Sequence, residues 1–169
     1  MDRDFPEEQF LLDLNWYFAD SFNRLCVVTS AGGILPSFLF LQDNRNDEFH
    51  EIVNELPEKF EVQRNENILE LIVDLNNEDL DQYFRDFESL AKKGFYVFDK
   101  VNISVSEETD YVLVAYPLYN SEKDSFPINP VDLELIPKLD NPLISRTNNS
   151  FSNENFKIID LVSLLNNNM

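Results

Sequence analysis

The chain of 169 residues has the length of one domain of ordinary size, and its 43% hydrophobic residues, including 15 Phe and 6 Tyr, suffice for a folded core. Its 32 acidic and 13 basic residues give a formal net charge of −19, which disfavours direct binding to nucleic acid or to anionic membranes, because both depend on Lys and Arg. With only 3 Gly, 1 His and 1 Cys, the composition argues against Gly-rich phosphate loops and leaves no room for a zinc site of Cys and His ligands.

The first elements are predicted to be a helix followed by a β-hairpin. Pro6 precedes two acidic residues, and the apolar positions that follow at helical spacing predict a helix over residues 6–20. These positions are Phe10, Leu14, Tyr17 and Phe18. Two apolar runs, at residues 24–30 and 34–41, flank a Gly-Gly pair and predict two strands joined by a tight turn.

The middle of the chain is predicted to hold two helices around a second pair of strands. Helical spacing predicts a helix over residues 47–56, ended by Pro57. Residues 60–64 and 68–74 have the composition of strands. The next helix is predicted from the capping Asn76 or Asn77 to the lysine pair at 92–93, with Gly94 at its end.

The last third of the chain begins with strands at residues 95–101 and 111–116. The segment 117–155 is rich in Pro, Asn and Ser, and it predicts an irregular extended arm that wraps the domain, with a short strand at residues 133–136. An apolar stripe over residues 156–165 then predicts a short terminal helix.

This order of elements predicts an α+β fold. Strand pairs that are adjacent in sequence favour a largely antiparallel sheet built from hairpins, with helices packed mainly on one face. We interpret residues 1–169 as a single domain. Its parts are a core at 1–116, the extended arm at 117–155, and a terminal helix with a frayed end at 156–169.

The sequence also predicts where the protein is located. Residues 1–4 lack the basic and apolar pattern of a signal peptide, and no apolar stretch reaches the length of a membrane span. Cys26 is the single cysteine and cannot form an internal disulfide. Cysteines without disulfides are usual in a reducing compartment. We therefore expect a soluble, cytoplasmic protein.

No catalytic motif is present. The sequence contains no G-x-S-x-G, Walker A or dinucleotide fingerprint. A nucleophilic Cys–His pair would have to combine Cys26 with His50, but Cys26 lies in an apolar run and is predicted to be buried, while His50 is predicted to lie on the surface. We therefore expect no catalytic residues, no metal and no cofactor.

The distribution of charge carries the main functional signal. Residues 47–88 contain 14 acidic and 3 basic residues, so a local charge of −11 lies in a quarter of the chain. Acidic residues recur there at three- and four-residue steps, which places them on shared helix faces. The predicted partner-binding residues are Asp47, Glu51, Glu55, Glu58, Glu78, Asp81 and Glu88.

These observations rank the possible functions. The first hypothesis is an acidic interaction domain that binds and inhibits a basic protein, as an immunity-type inhibitor of a toxin or nuclease does, or a DNA mimic acting on a DNA-binding enzyme. One alternative is an enzyme that uses carboxylates and a divalent metal, for which two or more acids must converge in a pocket. Another is an accessory or assembly module that docks onto a larger complex through the 117–155 arm. A merely solubilising acidic surface is a further interpretation.

Overall fold

The computed structural model of this chain describes residues 14–30, 32–41, 44–105, 107–119, 124–140, 142, 146–147, 150–151 and 159–167. The strands are β1 Asn15–Ala19, β2 Leu25–Thr29, β3 Glu61–Arg64, β4 Tyr96–Lys100, β5 Asp110–Leu118, β6 Arg146–Thr147, β7 Ser150–Phe151 and β8 Ile159–Asp160. The helices are α1 Phe38–Leu41, α2 Arg45–Glu55, α3 Ile68–Leu71, α4 Leu80–Lys92, α5 Pro130–Leu133 and α6 Leu161–Asn167, with a 3-10 turn at Asn77–Asp79. None of the helices within these ranges is long and apolar enough to cross a membrane.

The strands form a mostly antiparallel sheet in the order β1-β2-β4-β5-β3. The pairs β1–β2, β4–β5 and β3–β5 are antiparallel, whereas β2 and β4 run parallel. The short β8 adds to one end of β5, and β6 and β7 form a separate antiparallel pair. The predicted α+β class with a largely antiparallel sheet is confirmed.

Both faces of the sheet are covered, because successive side chains along a strand point to opposite faces. Trp16, Phe18 and Phe98 share one apolar cluster with side chains of α1 and α6. On the opposite face, Tyr17 and Val97 share a cluster with side chains of α2 and α4. Among the described elements, the two longest helices therefore lie on the same face, and short helices cover the other.

The prediction of a helix over residues 6–20 is wrong where it can be compared, since Asn15–Ala19 is strand β1 and residues 6–13 lie outside the described ranges. Trp16, Tyr17, Phe18 and Ala19 are all buried. A strand that is covered on both faces shows no alternation of apolar and polar residues. Its aromatic residues therefore happened to fit the spacing of a helix.

Two other short apolar runs were assigned to strands and are helical instead. Residues 34–41 end in α1 Phe38–Leu41 rather than in the second strand of a hairpin, and α3 Ile68–Leu71 lies in the segment 68–74. Gly32 and Gly33 do adopt the positive φ of a turn, at 77° and 103°, but the chain leaves the sheet there. The strand beside β2 is instead the distant β4, in parallel.

Residues 124–140 of the predicted 117–155 arm pack onto the domain. They contain α5 Pro130–Leu133. The prediction of a strand at residues 133–136 is wrong, because these residues form the end of α5 and the turn after it. Ile128, Ile136 and Leu139 are buried. The terminal helix α6 begins at Leu161, after β8, which is later than the stripe over 156–165 predicted.

The outer edge of β1 is covered by two different segments. The Tyr17 N–H donates to Asn46 Oδ1 of α2 at 3.1 Å, and Asn46 Nδ2 donates to the Asn15 carbonyl at 2.9 Å. Farther along the strand, Ala19 exchanges backbone hydrogen bonds with Pro137 and Leu139. An edge strand that is satisfied in this way is protected from pairing with another chain.

Candidate functional site

The acidic residues of the segment 47–88, which we call the acidic layer, lie on the helices of one sheet face, on the edge strand β3 and in the connections between them. This segment forms α2, β3, α3, the 3-10 turn and α4, whose buried side chains belong to the two apolar clusters on one side of the sheet. Of its 14 acidic residues, 13 are exposed and Glu88 is half-buried. The structure thus gathers the predicted acidic surface on the outside of a single layer.

The acidic row predicted on α2 is present. Asp47, Glu51 and Glu55 are exposed, while Phe49 and Val53 of the same helix are fully buried against the sheet. Residues four apart share one face of a helix, so the three carboxylates form a row that points to solvent.

Two contacts fix the position of the α2 row relative to α4. Glu58, which follows α2, accepts a hydrogen bond from the Ser89 hydroxyl of α4. Lys93, just past the end of α4, donates its Nζ to the carbonyls of Val53 and Asn54 at 3.0 and 3.3 Å. The C-terminal ends of both helices are therefore held together.

Two residues of the predicted row on α4 form ion pairs within the protein. Arg64 of β3 donates its Nη1 to Asp81 at 2.8 Å and its Nε to Glu88. These hydrogen bonds, with Glu88 as the larger cause, raise the pKa of Arg64 above its usual value. The guanidinium also lies 4.6 Å from the centre of the Phe84 ring. Asp81 and Glu88 therefore help to join β3 to α4, whereas Glu78 is exposed in the 3-10 turn.

A polar cavity of about 340 Å³ lies beside the start of α2 and includes Asp47 and His50 in its lining. The Tyr17 hydroxyl and His50 Nδ1 are hydrogen-bonded at 2.5 Å, and burial raises the pKa of Tyr17. His50 is half-buried rather than on the surface as predicted. Cys26 is buried as predicted, and burial raises the pKa of its thiol.

A buried polar cluster lies between α4 and the sheet. Asp99 of β4 accepts hydrogen bonds from the Tyr83 hydroxyl at 2.7 Å and from the Thr29 hydroxyl at 3.0 Å. Burial raises the pKa of this carboxyl, which is only 5% exposed. The adjacent Lys100 is fully buried and donates to the Gly32 carbonyl. Sequence reasoning missed both groups, because they end a strand that was identified by its apolar residues.

A second cavity, which we call the aromatic pocket, has a volume of about 370 Å³. It lies where β2 and β4 begin and β5 ends. Its lining includes the side chains of Phe22, Arg24, Phe60, Tyr96, Tyr119 and Phe126. Sequence reasoning missed it because these residues come from five separate segments of the chain. The signal that could have pointed to it is Phe22, an aromatic residue in the polar turn between β1 and β2.

Among the residues that the structure describes, neither cavity brings two carboxylates together, which is the arrangement that the enzyme hypothesis requires. The described lining of the aromatic pocket has no acidic residue, and that of the polar cavity has only Asp47. Within the ranges that the structure describes, no three Asp, Glu, His or Cys side chains are placed to hold a metal ion.

Comparison of the chain with protein families, with curated proteins and with solved structures found no match to any of them.

Proposed function

We propose that this protein binds a basic protein through the acidic outer surface of α2 and inhibits it. The observation that carries the proposal is the exposed row of Asp47, Glu51 and Glu55 on the outside of a layer in which nearly every acidic residue is exposed. Like charges four residues apart each cost a helix a few tenths of a kcal/mol. A cationic partner offsets this cost.

We place the centre of the contact at Glu51 and Glu55, because several other acidic residues of the segment already form ion pairs or hydrogen bonds within the protein. Asp81 and Glu88 are paired with Arg64, and Glu58 accepts a hydrogen bond from Ser89. A net charge of −19 also speeds the encounter with a positively charged surface.

Inhibition follows from the chemistry of the partner. An enzyme that acts on nucleic acid binds phosphates with Lys and Arg, and carboxylates laid over those side chains exclude the substrate. This is the mode of an immunity-type inhibitor of a nuclease or toxin, and of a DNA mimic. A cytoplasmic location, where such an enzyme meets nucleic acid, is part of the proposal.

The binding part is tested by reversing charge at two places. The variant Glu51→Lys/Glu55→Lys changes the α2 row, and the control Glu134→Lys/Asp140→Lys makes the same change in net charge at exposed positions outside the acidic layer. A partner captured from the host with the wild-type protein at low salt is then measured for association with each variant. We expect association of the α2 variant to slow by roughly tenfold or more, and that of the control by much less.

Salt dependence and activity complete the test. Wild-type binding is expected to weaken steeply as ionic strength rises, since the Debye length is only about 8 Å at physiological salt. Equal association by both charge-reversed variants would remove the α2 surface from the interface. A partner that binds but keeps its full activity on nucleic acid would refute inhibition and leave binding intact.

A further inference from the structure

We propose that the aromatic pocket is a second binding site, separate from the acidic surface, and that it takes an uncharged planar aromatic group of about the size of an indole ring. The proposal depends on three features of the pocket, which are the turn that builds its wall, the charges in its lining and its size.

One wall of the pocket is built by a buried carboxylate. Asp20 is fully buried, and its Oδ1 accepts the backbone N–H groups of Phe22 at 2.9 Å and Arg24 at 3.0 Å. Its Oδ2 accepts Arg24 Nε at 2.6 Å. Burying a carboxylate costs free energy unless it is paired and hydrogen-bonded, as it is here.

The result of this arrangement is a hydrogen-bonded turn that presents an aromatic ring to solvent. Asn23 takes a positive φ of 57° within the turn, and Phe22 is 69% exposed. The Arg24 guanidinium lies 5.4 Å from the centre of the Phe22 ring and 6.0 Å from that of Tyr96. A flat cation held between two rings gives the pocket one preorganised, planar side.

The remaining lining is suited to a second planar group. Phe60 and Tyr119 lie with their ring centres 5.9 Å apart, and Phe126 is 43% exposed at the same cavity. Aromatic rings prefer offset or edge-to-face contacts with other rings at such distances, and these contacts contribute beyond the area that they bury.

The charges of the pocket select an uncharged occupant. Among the lining residues that the structure describes, Arg24 is the only charged one, and Asp20 neutralises it. An anion finds no unneutralised cation among them and is repelled by a protein of net charge −19. A cation finds no carboxylate among them and would lie beside the Arg24 guanidinium.

The volume of the pocket is sufficient for such a ring. Ligand pockets in proteins range from about 300 to 1,000 Å³. At about 370 Å³ the aromatic pocket falls within this range and has room for a bicyclic ring.

The test uses four probes that share the indole ring and differ in charge. They are indole and N-acetyl-tryptophanamide, which are neutral, indole-3-acetate, which is an anion, and tryptamine, which is a cation. Binding to the full-length protein is followed by the shifts of backbone amide signals in NMR titrations. We expect the neutral probes to bind with a Kd of about 1 mM or below and to shift the amides of Phe22, Phe60 and Gly94. The charged probes are expected to bind at least roughly fivefold more weakly.

Variants and controls decide the assignment. Phe22→Ala and Phe126→Ala remove exposed rings, so neither disturbs the core, and each is expected to weaken indole binding by roughly fivefold. Ile103→Ala, at another exposed apolar residue, is the matched control and is expected to leave binding unchanged. Indole binding at other amides, or binding that survives loss of both rings, would overturn the proposal. Equal affinity for all four probes would overturn the selection by charge.

The probes also separate the two sources of such a ring. Indole that binds as tightly as N-acetyl-tryptophanamide indicates a free small molecule, whereas a clear preference for the amide indicates a tryptophan side chain of a peptide. The Glu51→Lys/Glu55→Lys variant is expected to bind indole like the wild type, so the outcome is independent of the acidic surface.

Discussion

Replacing Asn46 by Ala tests how α2 is joined to the edge of the sheet. The substitution removes two hydrogen bonds, one from the Tyr17 N–H and one to the Asn15 carbonyl. Tyr17 is fully buried, so its N–H loses its partner at a position that water does not reach. Asn15 is half-buried, and its carbonyl can be hydrated in the variant.

The expected loss of stability follows from this difference. A buried donor left without a partner costs about 1–3 kcal/mol, and a hydrogen bond that water replaces costs much less. Ala is a better helix former than Asn by a few tenths of a kcal/mol, and this gain offsets a small part of the loss of stability. We expect the free energy of unfolding to fall by about 2 kcal/mol, which for a domain of this size lowers Tm by about 4–8 °C.

The assay is urea denaturation followed by the fluorescence of Trp16, which is the only Trp of the chain and is fully buried. Asn54→Ala is the matched control, because Asn54 is an exposed residue of the same helix and the gain in helix propensity is equal. If the free energies of unfolding of the two variants agree within about 0.5 kcal/mol, the Asn46 amide does not stabilise the edge of β1.

Three further predictions concern other parts of the fold. Because burial raises the pKa of Asp99, the folded state keeps this proton at a pH where the unfolded state has lost it. Wild-type stability relative to Asp99→Asn is therefore expected to fall as pH rises from below the unfolded pKa, about 3.9, through the folded one. Urea denaturation from about pH 3 to 8 measures this difference, and a difference that stays constant over the whole range contradicts the assignment. Arg64→Ala is expected to lower the free energy of unfolding by about 1–2 kcal/mol, because it removes the contacts to Asp81, Glu88 and Phe84. The control is Arg85→Ala, at an exposed residue of α4, which should change the free energy of unfolding by less than about 0.5 kcal/mol. Gly94→Ala is expected to cost more than about 1 kcal/mol in the same assay, since Gly94 has a φ of 109° and a Cβ there would lie 2.9 Å from Pro127 Cγ. A wild-type Tm in this variant would show that neither the positive φ nor the contact with Pro127 requires glycine at this position.

The elements that could be predicted from sequence are those whose own residues determine them. The helix that ends at Gly94 has an apolar stripe, and the glycine takes the positive φ that ends a helix without strain. The strands β2, β4 and β5 are apolar runs bounded by polar turns, and each lies where it was predicted. The acidic row of α2 could also be predicted from sequence, because helical spacing alone places Asp47, Glu51 and Glu55 on one face.

Short apolar segments were decided by tertiary structure. Strand β1 and helix α1 both consist of consecutive apolar residues, and their sequences do not tell a covered strand from a covered helix. The parallel pairing of β2 with β4 joins residues about 70 positions apart, which no local pattern indicates.

For the charged residues too, some features follow from the sequence and others only from the tertiary structure. Their number and helical spacing, and hence the acidic exterior, are properties of the sequence, but the pairing of Asp81 and Glu88 with Arg64 depends on β3 lying beside α4. The burial of Asp20, Asp99 and Lys100 likewise depends on partners that only the folded chain brings within hydrogen-bonding distance. A charged side chain is solvated unless specific neighbours pair with it, and only such neighbours make its burial possible. Sequence alone therefore predicts the exposed acidic residues, whereas tertiary structure decides which ones are buried.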